Sequence, residues 1–441
     1  MYSAAEFFSG CGGFSRGFSQ SGRFETLLAN DIKPEALKSF EVNHANACMT
    51  PITVREDIRL LSLDEIEEHL KAQGVNRQSL DCLIGGPPCQ GFSQLRRSEE
   101  RENGQVVKFR GYSKLSSDPR NDLVLRYLEV AERLKPKFIV IENVPQMLNH
   151  GFDGRLGRLS ETVVEILERD LGYSVVVGVL TAADYGVPQL RDRAFFIASS
   201  VGAASFPAAT HGNPKSTGFA ATSKKPWITV KQAIGDLPKP IRGVDLGGSD
   251  LSHYSASTDP YAIAMRSAIA FPYNHITRTY SDSVLNIIRW MREGETWDAA
   301  SLRMRKKYAR LIDKYAENNS ISAKKALAAL TKLNKINSTF YKDYYWSAYT
   351  RLAWDEPALT ITANANFLGS GRFTHPTEMR GITVREAARL QSFDDDFKFV
   401  TSVSDQSKTD KIGVAMDMIG EAVPPLLGKA IATHIANQLD K

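Results

Sequence analysis

The chain is poor in cysteine. It has four in 441 residues, Cys11, Cys48, Cys82 and Cys89, with no CxxC pair and no ligand spacing. That argues against a disulfide framework and against a zinc or other metal site, and it fits a reducing cytoplasm. No uninterrupted apolar run reaches the ~18 residues of a membrane-spanning helix, so no membrane partner is expected. The N-terminus, MYSAAEFFSGCGG, has neither a basic leader nor a long apolar stretch, which predicts no signal peptide. Two phosphate-binding fingerprints are missing as well. The turn FFSGCGGFSRGF lacks the lysine of a P-loop and departs from the GxGxxG of nicotinamide enzymes, so neither nucleotide hydrolysis nor nicotinamide redox chemistry is indicated. Internal repeats are absent.

What is present is ordinary in bulk: 42% apolar and 24% charged residues, the composition of a globular protein. The length predicts two or three domains. Net charge is +5, but residues 206–350 hold 21 Lys+Arg against 11 Asp+Glu, and the rest holds 34 against 39. A basic middle of +10 in a mildly acidic chain points to a polyanion-binding segment, with a solvated lysine-rich face as the alternative.

The first 200 residues alternate apolar runs with helical patterns. AAEFFSG, FETLLAND, LDCLIGG, KFIVIEN, YSVVVGVL and RAFFIASS read as strands. Between them, Leu123, Tyr127, Val130 and Leu134 recur on one helical face, and SETVVEILERDLG has Ser160 to cap its start and Gly172 its end. Such alternation predicts an α/β protein with an open, doubly wound, mixed but mostly parallel sheet. Near residue 205 a Pro/Gly/Ser/Thr-rich stretch breaks the pattern. Order returns with GITVREAARLQSF, where Thr383 and Glu386 make a capping box, and with the amphipathic PPLLGKAIATHIANQL. The expected layout is a catalytic and cofactor-binding domain over 1–205, an inserted smaller basic domain over 206–350, and a return segment over 351–441.

Four motifs carry chemistry. Gly10, Gly12 and Gly13 stand between a strand and a helix and let a ligand approach the backbone. About 20 residues on, Asp31 stands where an acid holds ribose hydroxyls, and Asp57, after a further strand, where an acid reads an adenine amino group. Each alone could be a solvated loop acid; three at successive strand ends favour an adenosyl cofactor. The second motif is GGPPCQGFS. Its prolines make a rigid turn, and Cys89 on that turn is exposed as a nucleophile must be, whereas Cys82 lies inside the strand and reads as core. The third, IVIENVPQM, ends the neighbouring strand with Glu142, within reach of Cys89 because adjacent strands lie ~5 Å apart. A buried acid there could donate a proton at neutral pH. In the fourth, VPQLRDRAFFIA, Arg191 and Arg193 alternate and point the same way from one strand, as suits a phosphate or a planar carbonyl; the alternative is edge-strand charge.

These residues resemble the DNA (cytosine-5) methyltransferases of bacterial restriction–modification systems. FSGCGG, GGPPCQGFS, DPRNDL, IENV, QLRDR, REAARLQSFDDDF and GEAVPP occur in the family's order, over residues 1–205 and roughly 350–441. The resemblance implies a Rossmann-like methyltransferase fold whose basic insert is a target-recognition domain. It implies S-adenosylmethionine as cofactor, on Phe8, Gly10, Gly12, Gly13, Asp31, Asp57 and Ile58. Cys89 would attack carbon-6 of an extruded cytosine, Glu142 would bind the base at its ring nitrogen and amino edge, and Arg193 with Arg191 would hold its carbonyl and the backbone. Ser93 and Gln94, on a loop that closes over DNA, and the basic helical face of Arg303, Arg305, Lys306 and Lys307 are the expected DNA contacts. The implied partner is double-stranded DNA, with a cognate restriction endonuclease as functional companion and a monomeric, cytoplasmic enzyme. Two positions depart from the family: Asp31 stands where Glu is common, and Glu421 where Asn is usual. A tRNA methylase would use the same catalytic set, but the large basic insert argues against it. A non-catalytic DNA-binding relative should have lost the cysteine or the acid, and both are present.

Overall fold

The computed structural model describes residues 1–45, 49–76, 78–88, 99–102, 105–109, 121–149, 158–215, 224–242, 253–267, 269, 272–344, 346–401 and 411–441. The chain forms two compact units. The first is built from Met1–Trp227 with Ala422–Lys441 and the stretch from Lys398; the second from Ile228–Phe397 with the helix Lys411–Glu421. These divisions fall at 227 and 397, where composition gave 205 and 350, so residues 351–397 fall in the second unit.

The first unit is organised by a seven-stranded sheet: β1 (Tyr2–Phe7), β2 (Phe24–Asn30), β3 (Ile52–Val54), β4 (Cys82–Gly85), β5 (Phe138–Asn143), β6 (Ser174–Thr181) and β7 (Asp192–Ser199). Their spatial order is β3-β2-β1-β4-β5-β7-β6. The pairs from β3 to β5 are parallel, and β7 runs antiparallel to both β5 and β6. This is the expected mixed, mostly parallel α/β sheet. The order reverses between β1 and β4, and there the carboxyl ends of two parallel strands open a crevice.

Both sheet faces are covered, so the central strands read as continuous apolar runs. Ala5, Phe7, Leu83, Ile139 and Ile141 pack on one side under α3 (Leu63–Ala72) and α4 (Asn121–Leu134). Ala4, Cys82, Ile84, Phe138 and Val140 pack on the other against α1 (Gly13–Gln20) and α13 (Pro425–Leu439). Cys82 is therefore core, as expected. Helices α1 and α13 meet backbone to backbone: a Cβ on Gly17 would fall onto the main chain of Pro425 and Lys429, and one on Gly428 would stand 3.1 Å from the Phe14 ring. The remaining helices of this unit are α2 (Pro34–His44) and α5 (Arg158–Glu165), which continues as a π-helical turn to Asp170. Ser160 is a correction. It lies inside α5, and its hydroxyl donates to the Leu148 carbonyl instead of capping the helix.

The second unit is mainly helical: α6 (Val230–Ile234), α7 (Pro260–Met265), α8 (Asp282–Ile288), α9 (Trp297–Asn318), α10 (Ala323–Lys332), α11 (Val384–Leu390) and α12 (Lys411–Glu421). Trp297, Met304, Tyr308, Ile312, Leu330 and Phe340 form a core for α9 and α10. The Thr383–Glu386 capping box is present at α11. Arg389 on that helix is fully buried, and carboxylates of Asp236 and Asp395 compensate its charge. No helix among the described residues is long and apolar enough to cross a membrane.

Candidate active site

At the end of β4 two glycines make room for two different neighbours. A Cβ on Gly85 would stand 2.6 Å from the Tyr127 ring and 2.9 Å from the Phe7 carbonyl; one on Gly86 would stand 3.1 Å from Glu142 Oε2. The turn thus runs directly over the carboxylate of the next strand. It is also tied down, because Asn143 Nδ2 donates to the buried Pro87 carbonyl at 2.8 Å while Asn143 Oδ1 accepts from Val144 N–H at 2.9 Å. Pro87 is two residues before Cys89. Cys89, Ser93 and Gln94 lie outside the described residues.

Glu142 is 8% exposed, on β5 opposite Phe195 of β7. Its Oε1 is 2.9 Å from Arg193 Nε. Burial pushes the Glu142 pKa up, and the charges of Arg193 and then Arg191 pull it down. Both arginines therefore converge on this acid, but not from one strand. A short strand ends at Leu190 and β7 begins at Asp192, which leaves Arg191 in the break, its carbonyl accepting from Ala182 N–H at 2.9 Å. Arg191 is fully buried, and its Nη2 donates to the Ala422 carbonyl at 3.2 Å. Burial pushes its pKa well down, the like charge of Arg193 adds to that, and Glu142 opposes it.

The glycine turn after β1 is left-handed at Phe8 (φ 58°), Gly10 (φ 53°) and Gly12 (φ 90°), and Gly13 opens α1. Such angles suit glycine and cost any other residue ~1 kcal/mol or more. Asp31 holds the turn: Oδ2 accepts from Gly10 N–H and Oδ1 from Lys33 N–H, both at 2.8 Å. Burial pushes the Asp31 pKa up, and these amides restrain the rise. Phe8 packs on the apolar cluster that contains Ile58, whose side chain is 1% exposed and serves as core. Asp57 stands at the predicted strand end, but its carboxylate is engaged by Arg59, with Nη2 at 2.5 Å and Nε at 3.0 Å. That contact holds its pKa below the usual carboxylate value.

The turn can be tested for fit to an adenosyl ligand. Among the described residues Ser9 Oγ is buried with no hydrogen-bond partner, and a Cβ built on Gly10 meets no atom within 4 Å. An unsatisfied hydroxyl, open space over a glycine and a two-oxygen acceptor at Asp31 fit a ligand rich in hydroxyl and charged groups. Sequence reasoning missed Ser9. It also missed Asn143 and Arg59, which hold the predicted residues, and Glu6, an acid inside the apolar strand β1.

In the second unit, Arg303, Arg305, Lys306 and Lys307 all lie on α9, but not as one face. At 100° per residue Arg305 points away from the other three. Arg303 pairs with Glu295 at 2.6 Å and Lys307 sits 4.0 Å over the Trp290 ring, whereas Arg305 donates to the Phe340 carbonyl. Lys306 is exposed.

The model of the family described as C-5 cytosine-specific DNA methylase matches residues 2–437. Type II methyltransferase M.AgeI of Thalassovita gelatinovora is 31% identical over 471 residues, covering 98% of each chain. Type II methyltransferase M1.HphI of Haemophilus parahaemolyticus is 29% identical over 431 residues, covering 98% of this chain and 85% of the relative. Among solved structures, a DNA modification methyltransferase encoded within an E. coli prophage superposes over the full length of both chains with a TM-score of 0.66 at 21% identity, which concerns the fold. Since the family match takes in both compact units, the chain belongs to the C-5 cytosine-specific DNA methylases and is a DNA (cytosine-5)-methyltransferase.

Proposed function

We propose that this enzyme methylates carbon-5 of a cytosine extruded from a specific duplex DNA sequence, through a covalent adduct with Cys89, as the modifying partner of a restriction–modification system. The supporting observation is the Glu142 carboxylate, buried over Gly86 and paired with Arg193 beside the turn that leads to Cys89. Carbon-5 of cytosine is a weak nucleophile. Addition of the Cys89 thiolate to carbon-6 breaks the ring π bond and moves an electron pair to carbon-5. Glu142 stabilises that adduct by sharing a proton with the ring nitrogen, while Arg193 and Arg191 hold the carbonyl oxygen and the backbone. S-adenosylmethionine would be held by Phe8, Gly10, Gly12, Gly13, Asp31, Asp57 and the backbone near Ile58, and would supply an electrophilic methyl group that the carbon-5 electron pair takes, the S–C bonding pair remaining on sulfur as a neutral thioether. Loss of the carbon-5 proton then returns its electron pair to the ring as the Cys89 thiolate leaves, which restores aromaticity. Extrusion of the base costs a few kcal/mol, offset by contacts in the site.

Residues 206–350 act as the target-recognition domain, inserted between the catalytic segments 1–205 and 351–441. Ser93, Gln94, Arg303, Lys306 and Lys307 serve as DNA contacts, whereas Arg305, on the opposite side of α9, is held by the Phe340 carbonyl. The enzyme works as a cytoplasmic monomer alongside a cognate endonuclease. The test is incubation with methyl-labelled S-adenosylmethionine and either duplex DNA or tRNA. Label at carbon-5 of DNA cytosine, abolished in Cys89→Ser, is expected. Label in tRNA alone, or full activity of Cys89→Ser, refutes the reading.

A further inference from the structure

Glu6 is ionisable, buried and unused by the chemistry above. It lies in β1 between Ala29 of β2 and Ile84 of β4, 3% exposed, in a strand otherwise made of apolar residues and two at its outer end. A carboxylic acid in such a place needs hydrogen-bond partners, because desolvation is costly. It has them from a single residue. Ser15 donates both its backbone N–H, at 3.1 Å, and its hydroxyl to Glu6 Oε2, and Thr26 Oγ1 donates to Ser15 Oγ at 3.0 Å.

Ser15 belongs to the first turn of α1, whose N-cap, Gly12, has no side chain to offer its amides. A helix start without a side-chain cap leaves donors unsatisfied. Glu6 supplies the missing acceptor from the adjacent strand, beneath the turn that carries Ser9, Gly10 and Gly12. We propose that Glu6 is a positioning residue for the methyl donor: it caps α1 from below, fixes the glycine turn, and gives up its proton when a positively charged ligand occupies that turn. This rests on the S-adenosylmethionine reading above.

The charged surroundings make such a linkage possible. From the end of β2 the Asp31 charge acts on Glu6, and from α4 Tyr127 is coupled to it. Helices α1 and α13 contribute uncharged residues to the core on this side, Phe14, Phe18, Leu427 and Ile431, and Arg16 of α1 is half-exposed. No cation among the described residues is set against Glu6, in contrast to Glu142 with its arginines. Burial pushes the Glu6 pKa up to about 8, and the two Ser15 hydrogen bonds restrain the rise. The group therefore stands near the balance between its neutral and ionised forms at physiological pH. A ligand cation favours the ionised form, which is also the stronger acceptor for the Ser15 donors.

Isothermal titration calorimetry of S-adenosylmethionine tests this between pH 6.5 and 9, in buffers of differing ionisation enthalpy, with wild type and Glu6→Gln. The amide keeps the shape and an acceptor for Ser15 but cannot ionise. Below pH 7 the two proteins should bind alike. Their affinity ratio should then grow by up to tenfold per pH unit toward pH 8 and level off above it, with up to one more proton released by wild type than by Glu6→Gln over the rise. The ligand's own ammonium titrates in both experiments and cancels in the ratio. Ser15→Ala, which removes one donor, should move the rise to higher pH, and it serves if Glu6→Gln does not fold. S-adenosylhomocysteine, with one positive charge fewer, should show a shallower rise. A pH-independent ratio, or equal proton release by both proteins, overturns the proposal. Wild type that binds neither ligand overturns instead the S-adenosylmethionine reading on which it rests.

Discussion

Replacing Asn143 by alanine should separate the turn that leads to Cys89 from the strand that carries Glu142. Asn143 is 5% exposed and makes two hydrogen bonds, to the Pro87 carbonyl at 2.8 Å and from Val144 N–H at 2.9 Å. A buried hydrogen bond contributes ~1 kcal/mol, and a buried carbonyl left without a donor costs ~1–3 kcal/mol. The expected loss of stability is thus about 2–3 kcal/mol, or roughly 4–10 °C in melting temperature. The catalytic loss should be larger than that implies. With Pro87 released, the turn is no longer tied to β5 ahead of Cys89, and a misplacement of ~1 Å in a reacting group costs on the order of 100-fold in rate. The glycine turn belongs to β1, so binding of S-adenosylmethionine should be unchanged. Calorimetry for the cofactor, thermal melts, and single-turnover methylation at a temperature where the variant is folded give the three readouts. A single-turnover rate within twofold of wild type, with the loss of stability present, would refute the reasoning: the tether would then stabilise the fold without positioning the proposed nucleophile.

Two further outcomes follow from the geometry. Gly17→Val places side-chain carbons into the main chain of Pro425 and Lys429, neither of which can rotate away, so α1 and α13 must separate; a loss of at least about 3 kcal/mol is expected by denaturant titration, and a loss below ~1 kcal/mol would show that the helices re-seat freely. Arg193→Met removes the larger of the two influences that hold down the Glu142 pKa, so that pKa rises further. A carboxyl raised in the folded state costs stability progressively as pH climbs from the unfolded value through the folded one. The gap between Arg193→Met and wild type should therefore widen from pH 5 to pH 9 in thermal melts, toward the ~3–5 kcal/mol typical of a broken buried pair, and a gap independent of pH would remove Glu142 as its cause.

Much of the fold was legible because the strands are long and apolar on both faces. All six runs read as strands are in the central sheet, while the seventh, Ile52–Val54, is three residues long, too short for a periodicity. The antiparallel setting of β7 was not legible, since a fully buried strand reads alike in both directions. The same limit affected the arginines: Arg191 and Arg193 alternate as in a strand, but the chain breaks between them. Caps were mixed in the same way. Thr383 and Glu386 formed the box that their spacing predicts, whereas Ser160 found a carbonyl acceptor in Leu148 and the helix began before it. Two signals were present and unread. An acid within AAEFF is costly to bury and marks a site, and glycines inside the helical runs FSRGF and LLGKA mark a close approach.

Three carboxylates lie at or near the carboxyl ends of β1, β2 and β5, and burial raises the pKa of each. What differs is the compensation. Among the described residues Glu6 has the neutral donors of Ser15, Asp31 has the amides of Gly10 and Lys33 with the Lys33 charge behind them, and Glu142 has two guanidinium groups. Neutral donors satisfy oxygen lone pairs but bring no net charge, so an acid held by them responds strongly when a cation arrives. An acid already beside two arginines keeps its charge more readily and responds to whatever displaces them. On the proposed reading this divides the labour along one sheet edge: Glu6 and Asp31 respond to the cationic methyl donor, and Glu142 to a neutral base. A cytosine that reaches Glu142 must take over part of what Arg193 now provides, and as Arg193 turns to the base carbonyl the compensation of Glu142 falls. The acid is then at its most basic when the ring nitrogen comes within reach, which is when a shared proton stabilises the thiolate adduct most.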